Sequence, residues 1–72
     1  MGSPSAKEHR ERLGSNIRRL RMQKGLSLRT LGMMVGVDYA YLSNIENGRA
    51  NATVNVLFKI AQGLEVSVRD LF

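Results

Sequence analysis

The sequence has no cysteine and one histidine, His9, which lies in a polar N-terminal stretch. The absence of cysteine excludes a disulfide framework and a thiolate metal site, and it fits a reducing cytoplasm. No apolar run approaches the ~20 residues that a membrane-spanning helix needs, and no apolar signal segment opens the chain. We therefore expect a protein that is neither membrane-spanning nor secreted and that has no metal centre and no cofactor.

The sequence also lacks any stretch in which apolar and polar residues alternate over the length of a strand, which predicts an all-α fold. A chain of 72 residues is one domain at most. A domain of this size buries only about 60% of the surface that its unfolded chain exposes, so a bound partner would add to its stability. The small, polar residues 1–6, MGSPSA, predict a disordered tail before a domain at residues 7–72.

Basic residues are the feature present in excess, with a net charge of +5 and a pI near 10.5. Up to Lys24, seven basic residues face only two acidic ones, Glu8 and Glu11, whereas the remainder of the chain is balanced. A basic domain attracts phosphates and releases their counterions on binding, which favours a nucleic-acid partner. An ordinary solvated helix face is the alternative explanation.

Helical spacing of apolar residues predicts a first helix over about 7–24 and three further helices before a final short turn. Capping side chains and glycines mark the predicted ends of these helices. The marks are Gly25 after the first helix, Ser27 before the second, Asp38 before the third, Gly48 after it, Thr53 before the fourth, Gly63 after it, and a capping-box-like segment at 67–70.

Two of these helices are short and are joined by a tight glycine turn, as in a helix-turn-helix motif. The seven positions that the motif requires hold suitable residues: Leu31, Gly32, Val35, Gly36, Val37, Leu42 and Ile45. A glycine inside a helix costs roughly 1 kcal/mol relative to alanine, so Gly32 predicts a close approach by another helix backbone. Seven consistent positions make the motif a much stronger signal than a lone glycine turn.

The chain resembles the phage repressor and Cro family of helix-turn-helix domains, including the small controller proteins of restriction-modification systems. The resemblance is carried by IRRLRMQKGLS at 17–27, VGV at 35–37, YLSNIENG at 41–48 and LFKIAQGLEVSVRDLF at 57–72. It implies a five-helix, repressor-like domain that binds palindromic DNA as a homodimer and regulates transcription. Such a protein would act in the cytoplasm of a bacterium, encoded by the cell or by a phage.

The third helix, over about 38–47, carries the face that this resemblance assigns to the major groove of DNA. With Leu42 and Ile45 directed inward, short side chains are directed outward. Asn44 is suited to a bidentate pair with adenine, and the Ala40 methyl is suited to thymine. Ordinary solvated helix residues are the alternative. The predicted base-reading residues are Tyr39, Ala40, Ser43 and Asn44.

A second set of polar residues surrounds this helix and is suited to phosphate oxygens. The predicted phosphate-binding residues are Ser27, Arg29, Tyr41, Asn47, Arg49 and Asn51. Leu28 departs from the family, which commonly has a phosphate-binding glutamine there, and that contact is not carried over to this chain. Arg29 and the backbone amides beside it are the expected substitute, and an exposed arginine without a role is the alternative.

Glu46 lies beside the inward residues of the third helix, and a partly buried carboxylate needs a partner. Arg21 flanks the apolar stripe of the first helix, and the resemblance pairs the two matched positions. We therefore expect Arg21 and Glu46 to form a structural salt bridge, with two separate surface charges as the alternative.

Apolar residues near the C-terminus predict a two-fold interface, with a simple terminal core as the alternative. The predicted interface residues are Phe58, Leu64, Val66, Leu71 and Phe72.

Together these features predict a dimeric, sequence-specific transcriptional regulator that occupies a pseudo-palindromic operator on double-stranded DNA. A protein-interaction module, such as an antitoxin-type partner-binding protein, is the alternative from a different class. An enzyme is not expected, because the sequence shows no nucleophile with its base, no metal-ligand cluster and no phosphate-cradling loop. No small-molecule ligand is evident either.

Overall fold

A computed structural model describes residues 5–72 as four α-helices and one short 3-10 helix, with no strand among them. The helices are α1 (Ala6–Gln23), α2 (Leu28–Val35), α3 (Tyr39–Glu46), α4 (Val54–Leu64) and a C-terminal 3-10 helix (Val68–Leu71). The all-α prediction is confirmed. The predicted count of five α-helices is wrong, because the last segment has four residues and adopts the tighter 3-10 winding typical of such short pieces.

No helix within residues 5–72 combines the length and the apolar character needed to cross a membrane.

The start of α1 lies one residue before the predicted start, within the stretch predicted as a disordered tail. Ser5 is the N-cap, and its Oγ accepts a hydrogen bond from the amide of Glu8 at 3.2 Å. The rest of the predicted tail, residues 1–4, lies outside the described residues. A local capping bond therefore extends the helix back to Ala6.

Side-chain caps fix the starts of the next three helices where the sequence predicts them. Thr30 N donates to Ser27 Oγ at 3.0 Å, and Val56 N donates to Thr53 Oγ1 at 3.2 Å. Between α2 and α3, Gly36 has φ +70°, a left-handed conformation that permits the abrupt turn of the motif. The turn places α3 against α2 as a helix-turn-helix.

The end of α4 differs from the prediction, because the helix continues through Gly63 to Leu64. Glu65 takes the left-handed conformation after it, with φ +59°. A Cβ at Gly63 would collide with Val35 Cγ1 and lie 3.3 Å from Leu31 Cδ1. Gly63 thus permits the close packing of α4 on α2 and does not terminate the helix.

The core draws on every helix. Eleven apolar side chains are buried in it: Leu13, Ile17, Leu31, Val37, Leu42, Ile45, Leu57, Ile60, Ala61, Leu64 and Leu71. Full burial of one large aliphatic side chain contributes roughly 1.5–3 kcal/mol. Because α3 packs against both α1 and α2, the core holds its orientation from two sides.

A close backbone approach joins α1 to the end of α3. A Cβ at Gly14 would lie 2.5 Å from the carbonyl oxygen of Glu46 and closer still to that of Ile45. At Gly32, by contrast, the nearest atom is the carbonyl oxygen of Val37, at 2.9 Å from the position of a Cβ. The tightest contact at Gly32 is therefore with the turn that follows its own helix, and the backbone of α3 is farther away, with Tyr39 Cα 3.9 Å from the position of a Cβ.

Candidate nucleic-acid interface

The N-terminus of α3 is closed by a side chain of the protein itself. Asp38 Oδ2 accepts hydrogen bonds from the amides of Ala40 at 3.0 Å and Tyr41 at 3.3 Å. Since a carboxylate already occupies this positively polarised helix end, an external phosphate is disfavoured there. The lateral face of α3 is the part of this helix that is available to a ligand.

That lateral face has the orientation predicted from the helical period. Leu42 is fully buried and Ile45 is 1% exposed, which fixes the rotation of α3 about its axis. Three of the predicted base-reading residues, Tyr39, Ala40 and Asn44, are exposed, and Ser43 is half-buried. The exposed face therefore carries a methyl group, an amide and a phenol, with a hydroxyl at its edge.

One predicted phosphate-binding residue on this helix is partly committed within the protein. Asn47 Nδ2 donates to the carbonyl oxygen of Ser43 at 2.9 Å, within the last turn of α3. Its side-chain oxygen and second N–H are left for other partners, since an asparagine amide has two donors and one acceptor oxygen. Asn47 is exposed, so both groups are accessible.

The start of α2 forms the second part of the surface. Ser27 Oγ donates to Thr30 Oγ1 at 2.8 Å in addition to accepting from the Thr30 amide, so its hydroxyl proton is used inside the helix cap. Leu28 is half-buried and packs against the core. Arg29 is exposed. Arg29, the uncapped amides of the first turn and the hydroxyl proton of exposed Thr30 therefore remain free to meet an anion.

The loop after α3 forms the third part, and hydrogen bonds of its backbone hold it close to α3 and α1. Arg49 N donates to Asn44 O at 2.8 Å, and Arg10 Nε of α1 donates to Gly48 O at 3.3 Å. The Tyr41 hydroxyl donates to Asn51 O at 2.7 Å. Tyr41 thus anchors the loop with its hydroxyl proton, and the exposed side chains of Arg49 and Asn51 are presented beside the end of α3.

A contact that the sequence analysis missed joins α2 to α3 at this surface. The guanidinium carbon of Arg29 lies 4.7 Å from the centroid of the Tyr39 ring, within the range of a cation–π interaction. The two residues occupy the first turns of consecutive helices on either side of the tight turn. The sequence shows that Arg29 and Tyr39 begin consecutive helices. It does not show the side-chain directions that bring the two groups into contact.

A salt bridge joins the first and third helices behind this surface, between the two residues assigned to it from the sequence. Arg21 Nε donates to Glu46 Oε2 at 2.7 Å, and Arg21 Nη2 donates to Glu46 Oε1 at 3.0 Å. Arg21 Nη1 also donates to Leu26 O at 2.8 Å. The hydrogen bonding to Glu46 raises the pKa of Arg21, while burial acts in the opposite direction. The guanidinium therefore ties α1, the loop before α2 and α3 into one unit.

The five residues predicted as a dimer interface fall into two groups in the structure, one in the core of the protomer and one at its surface. Leu64 is 2% exposed and Leu71 is fully buried, so both belong to the core of the protomer. Phe58, which is 59% exposed, and Val66 line one surface groove. Phe72, 65% exposed, lines a separate groove with residues of α1. Of the five predicted interface residues, Phe58, Val66 and Phe72 have side chains that a second copy could contact.

Comparison with known proteins agrees with this geometry. A family model described as helix-turn-helix matches residues 17–71. An uncharacterised HTH-type transcriptional regulator, y4dJ of Sinorhizobium fredii, is 45% identical over 62 residues, which cover 86% of this chain and 80% of that protein.

Two solved structures are similar in both fold and sequence. The restriction-modification controller protein C.AhdI from Aeromonas hydrophila has a TM-score of 0.87 and 34% identity, covering 89% of this chain and 97% of that one. SinR, described as the master regulator for biofilm formation and solved in complex with DNA, has a TM-score of 0.77 and 40% identity, covering 82% and 95%. The relatives are regulators and not enzymes. The chain belongs to the helix-turn-helix family of DNA-binding transcriptional regulators.

Proposed function

We propose that this chain regulates transcription by reading the sequence of an operator with the lateral face of α3. The observation that carries the proposal is the exposure of Ala40 and Asn44 on a helix whose opposite side is fixed in the core. The amide of Asn44 is complementary to the N6 and N7 edge of adenine, and the methyl of Ala40 to that of thymine. Occupation of an operator close to a promoter would let the protein control transcription, as a repressor where it blocks the polymerase.

Phosphate contacts supply the part of the affinity that does not depend on sequence. Arg29 at the start of α2 and Arg49 in the loop after α3 lie on either side of the reading helix in the chain, and both are exposed. Asn51 in the same loop adds a hydrogen-bonding side chain. Each phosphate that a basic residue neutralises steepens the salt dependence of binding by roughly 0.9 in log–log slope.

The proposed active form is a homodimer on a pseudo-palindromic site. Val54 and Phe58, one turn apart on α4, are 66% and 59% exposed, and half-buried Val66 lies in the groove beside Phe58. A small domain gains stability by burying such side chains against a second copy. Two-fold symmetry would then set two copies of α3 about 34–36 Å apart, which is one turn of DNA.

The test of base reading compares Asn44→Ala with Gln23→Ala, which removes an exposed amide from the end of α1. Affinities are measured by fluorescence anisotropy for the preferred duplex and for duplexes with single base-pair changes. Asn44→Ala is expected to lose about 1–3 kcal/mol on the preferred duplex and to abolish discrimination at one position of each half-site. Gln23→Ala should bind like the wild type. Equal weakening by Asn44→Ala on every duplex would contradict base reading by this residue.

A further inference from the structure

The contact between Arg29 and Tyr39 concerns two side chains that are both free of other strong partners. Tyr39 is 45% exposed and Arg29 is exposed, yet they are stacked at 4.7 Å. Within residues 5–72, the salt bridges are Arg21 with Glu46 and Lys24 with Glu65, and neither involves Arg29. Oδ2 of neighbouring Asp38 accepts from two amides of α3, and neither salt bridge involves Asp38. The aromatic ring is therefore the only group in this part of the chain seen to hold the guanidinium.

The guanidinium of Arg29 lies where its positive charge is electrostatically unfavourable in the protein without DNA. Arg29 lies in the first turn of α2, where a positive charge opposes the helix macrodipole. A nearby anion would reverse this penalty. An arginine that is held at such a place by a ring, without a carboxylate to neutralise it, keeps its charge available for an external anion.

We propose that Tyr39 is a positioning residue that holds Arg29 for contact with a DNA phosphate. The proposal rests on the proposed function and refines the assignment of Tyr39 as a base-reading residue. The ring contacts Arg29 with one face, and its proposed role is exerted through that contact. Because an arginine side chain is flexible, stacking in the free protein reduces the number of conformations that binding must select.

This mechanism also accounts for the departure at Leu28. Leu28 packs against the core and has no polar group, so it offers nothing to a phosphate. A stacked Arg29 is the adjacent residue and presents a planar set of N–H donors that suits phosphate oxygens. In this chain the charged side chain of Arg29 thus takes the role of the glutamine that is common in the family at the position of Leu28. The ring of Tyr39 on the neighbouring helix α3 holds Arg29 in place.

The experiment measures binding to the preferred duplex over a range of salt concentrations for Arg29→Gln, Tyr39→Leu, Tyr39→Phe and the double variant Arg29→Gln with Tyr39→Leu. Arg29→Gln should lower the log–log salt slope by about 0.9, the value for one lost phosphate contact. Tyr39→Leu should weaken binding roughly two- to five-fold, to a similar extent on all duplexes. Tyr39→Phe keeps the ring and should bind like the wild type. The double variant should be no weaker than Arg29→Gln alone.

Three results would overturn the proposal while leaving the proposed function intact. They are additive effects in the double variant, a Tyr39→Leu loss confined to particular base pairs, and a Tyr39→Phe loss as large as that of Tyr39→Leu. Absence of binding by the wild-type protein to any selected duplex would instead refute the proposed function, and this inference with it. Arg69→Gln removes an exposed arginine from the C-terminal 3-10 helix and is the control for the loss of one charge.

A measurement on the free protein tests the stack separately from DNA. The side-chain protons of Arg29 should show an upfield ring-current shift in NMR spectra of the wild type and of Tyr39→Phe. The shift should be absent in Tyr39→Leu. Equal Arg29 shifts in all three proteins would refute positioning by the ring, whatever the DNA affinities show.

Discussion

At the scale of the residue, Glu46 is the charged side chain that holds α3 to α1. Its side chain is 5% exposed, and that of its partner Arg21 is 13% exposed. Both carboxylate oxygens accept from the guanidinium, and no buried side-chain polar atom in the described residues is left without a partner. Loss of the carboxylate would strand a charged guanidinium that also holds the loop before α2.

Replacing Glu46 with alanine is expected to destabilise the protein by about 3–5 kcal/mol, the usual cost of breaking a buried pair from one side. This is a large share of the ~5–15 kcal/mol by which small domains are stable. Thermal and urea unfolding followed by circular dichroism would measure it. Glu65→Ala removes an exposed carboxylate and is the control, with little change expected. An unfolding curve of Glu46→Ala that matches the wild type would contradict the structural role of the pair.

Gly14 gives a second prediction at this scale. We expect replacement of Gly14 by alanine to destabilise the protein, although helix propensity alone predicts stabilisation. Alanine normally favours a helix by roughly 1 kcal/mol over glycine. Here the added Cβ would meet the backbone carbonyls of Ile45 and Glu46, which cannot move without shifting α3. Gly14→Ala should therefore lower the free energy of unfolding by about 1–3 kcal/mol. Exposed Ser15→Ala in the same helix should cause no loss, and a stabilising Gly14→Ala would show that α1 does not approach α3 this closely.

At the scale of the element, the helix ends separate what a sequence can predict from what it cannot. Ser27, Asp38 and Thr53 act as N-caps through bonds to residues two or three positions away, so their roles are visible in the local sequence. Gly63 looks like a helix stop by the same local rule. Its actual role depends on Val35, which lies far away in the chain. Local chemistry fixes the helix starts, whereas packing across the core fixes the end of α4.

The end of α4 gives a prediction about residue 65, where we expect glycine to be more stabilising than alanine. Glu65 has φ +59°, which is costly for a residue with a Cβ and free for glycine. We expect Glu65→Gly to be more stable than Glu65→Ala by about 1 kcal/mol, the reverse of the order inside a helix. Unfolding by urea for both variants would measure the difference. An alanine variant at least as stable as the glycine variant would rule out the left-handed cap.

The same residue has a small effect on the pH dependence of stability. A hydrogen bond from Lys24, supported by its charge, lowers the pKa of Glu65. A lowered carboxyl pKa contributes stability at neutral pH that is lost as the pH falls through the acid range. Because the Glu65 side chain is 77% exposed, solvent screens the pair and the contribution is slight.

The interface shows the same division between local and long-range information. The outward orientation of Asn44 and Ala40 follows from the helical period, since Leu42 and Ile45 must face the core. Periodicity does not reveal that the Tyr41 hydroxyl binds Asn51 O, because that bond depends on the path of the loop. The same period does separate buried Leu64 from exposed Phe58, because Leu64 lies two turns after buried Leu57 on the core-facing side of α4 and Phe58 does not.

At the scale of the whole molecule, the account depends on association through the exposed side of α4. We expect the wild-type chain to be a dimer in sedimentation equilibrium and Phe58→Glu to be a monomer, because a charge there would be desolvated at the interface. Met33→Glu is the control, since Met33 is 82% exposed but lies on α2. A wild-type chain that stays monomeric at tens of micromolar would contradict association through this surface.

The central claim is that α3 reads an operator in two symmetric half-sites, and selection from a randomised duplex pool at near-physiological salt tests it most directly. The account predicts enrichment of a pseudo-palindrome with half-site centres about one helical turn apart. Enrichment at the half-site positions should weaken when Asn44→Ala protein is used. A pool that stays unenriched with wild-type protein would leave only charge-driven binding, contradict sequence reading and favour the antitoxin-type partner-binding alternative.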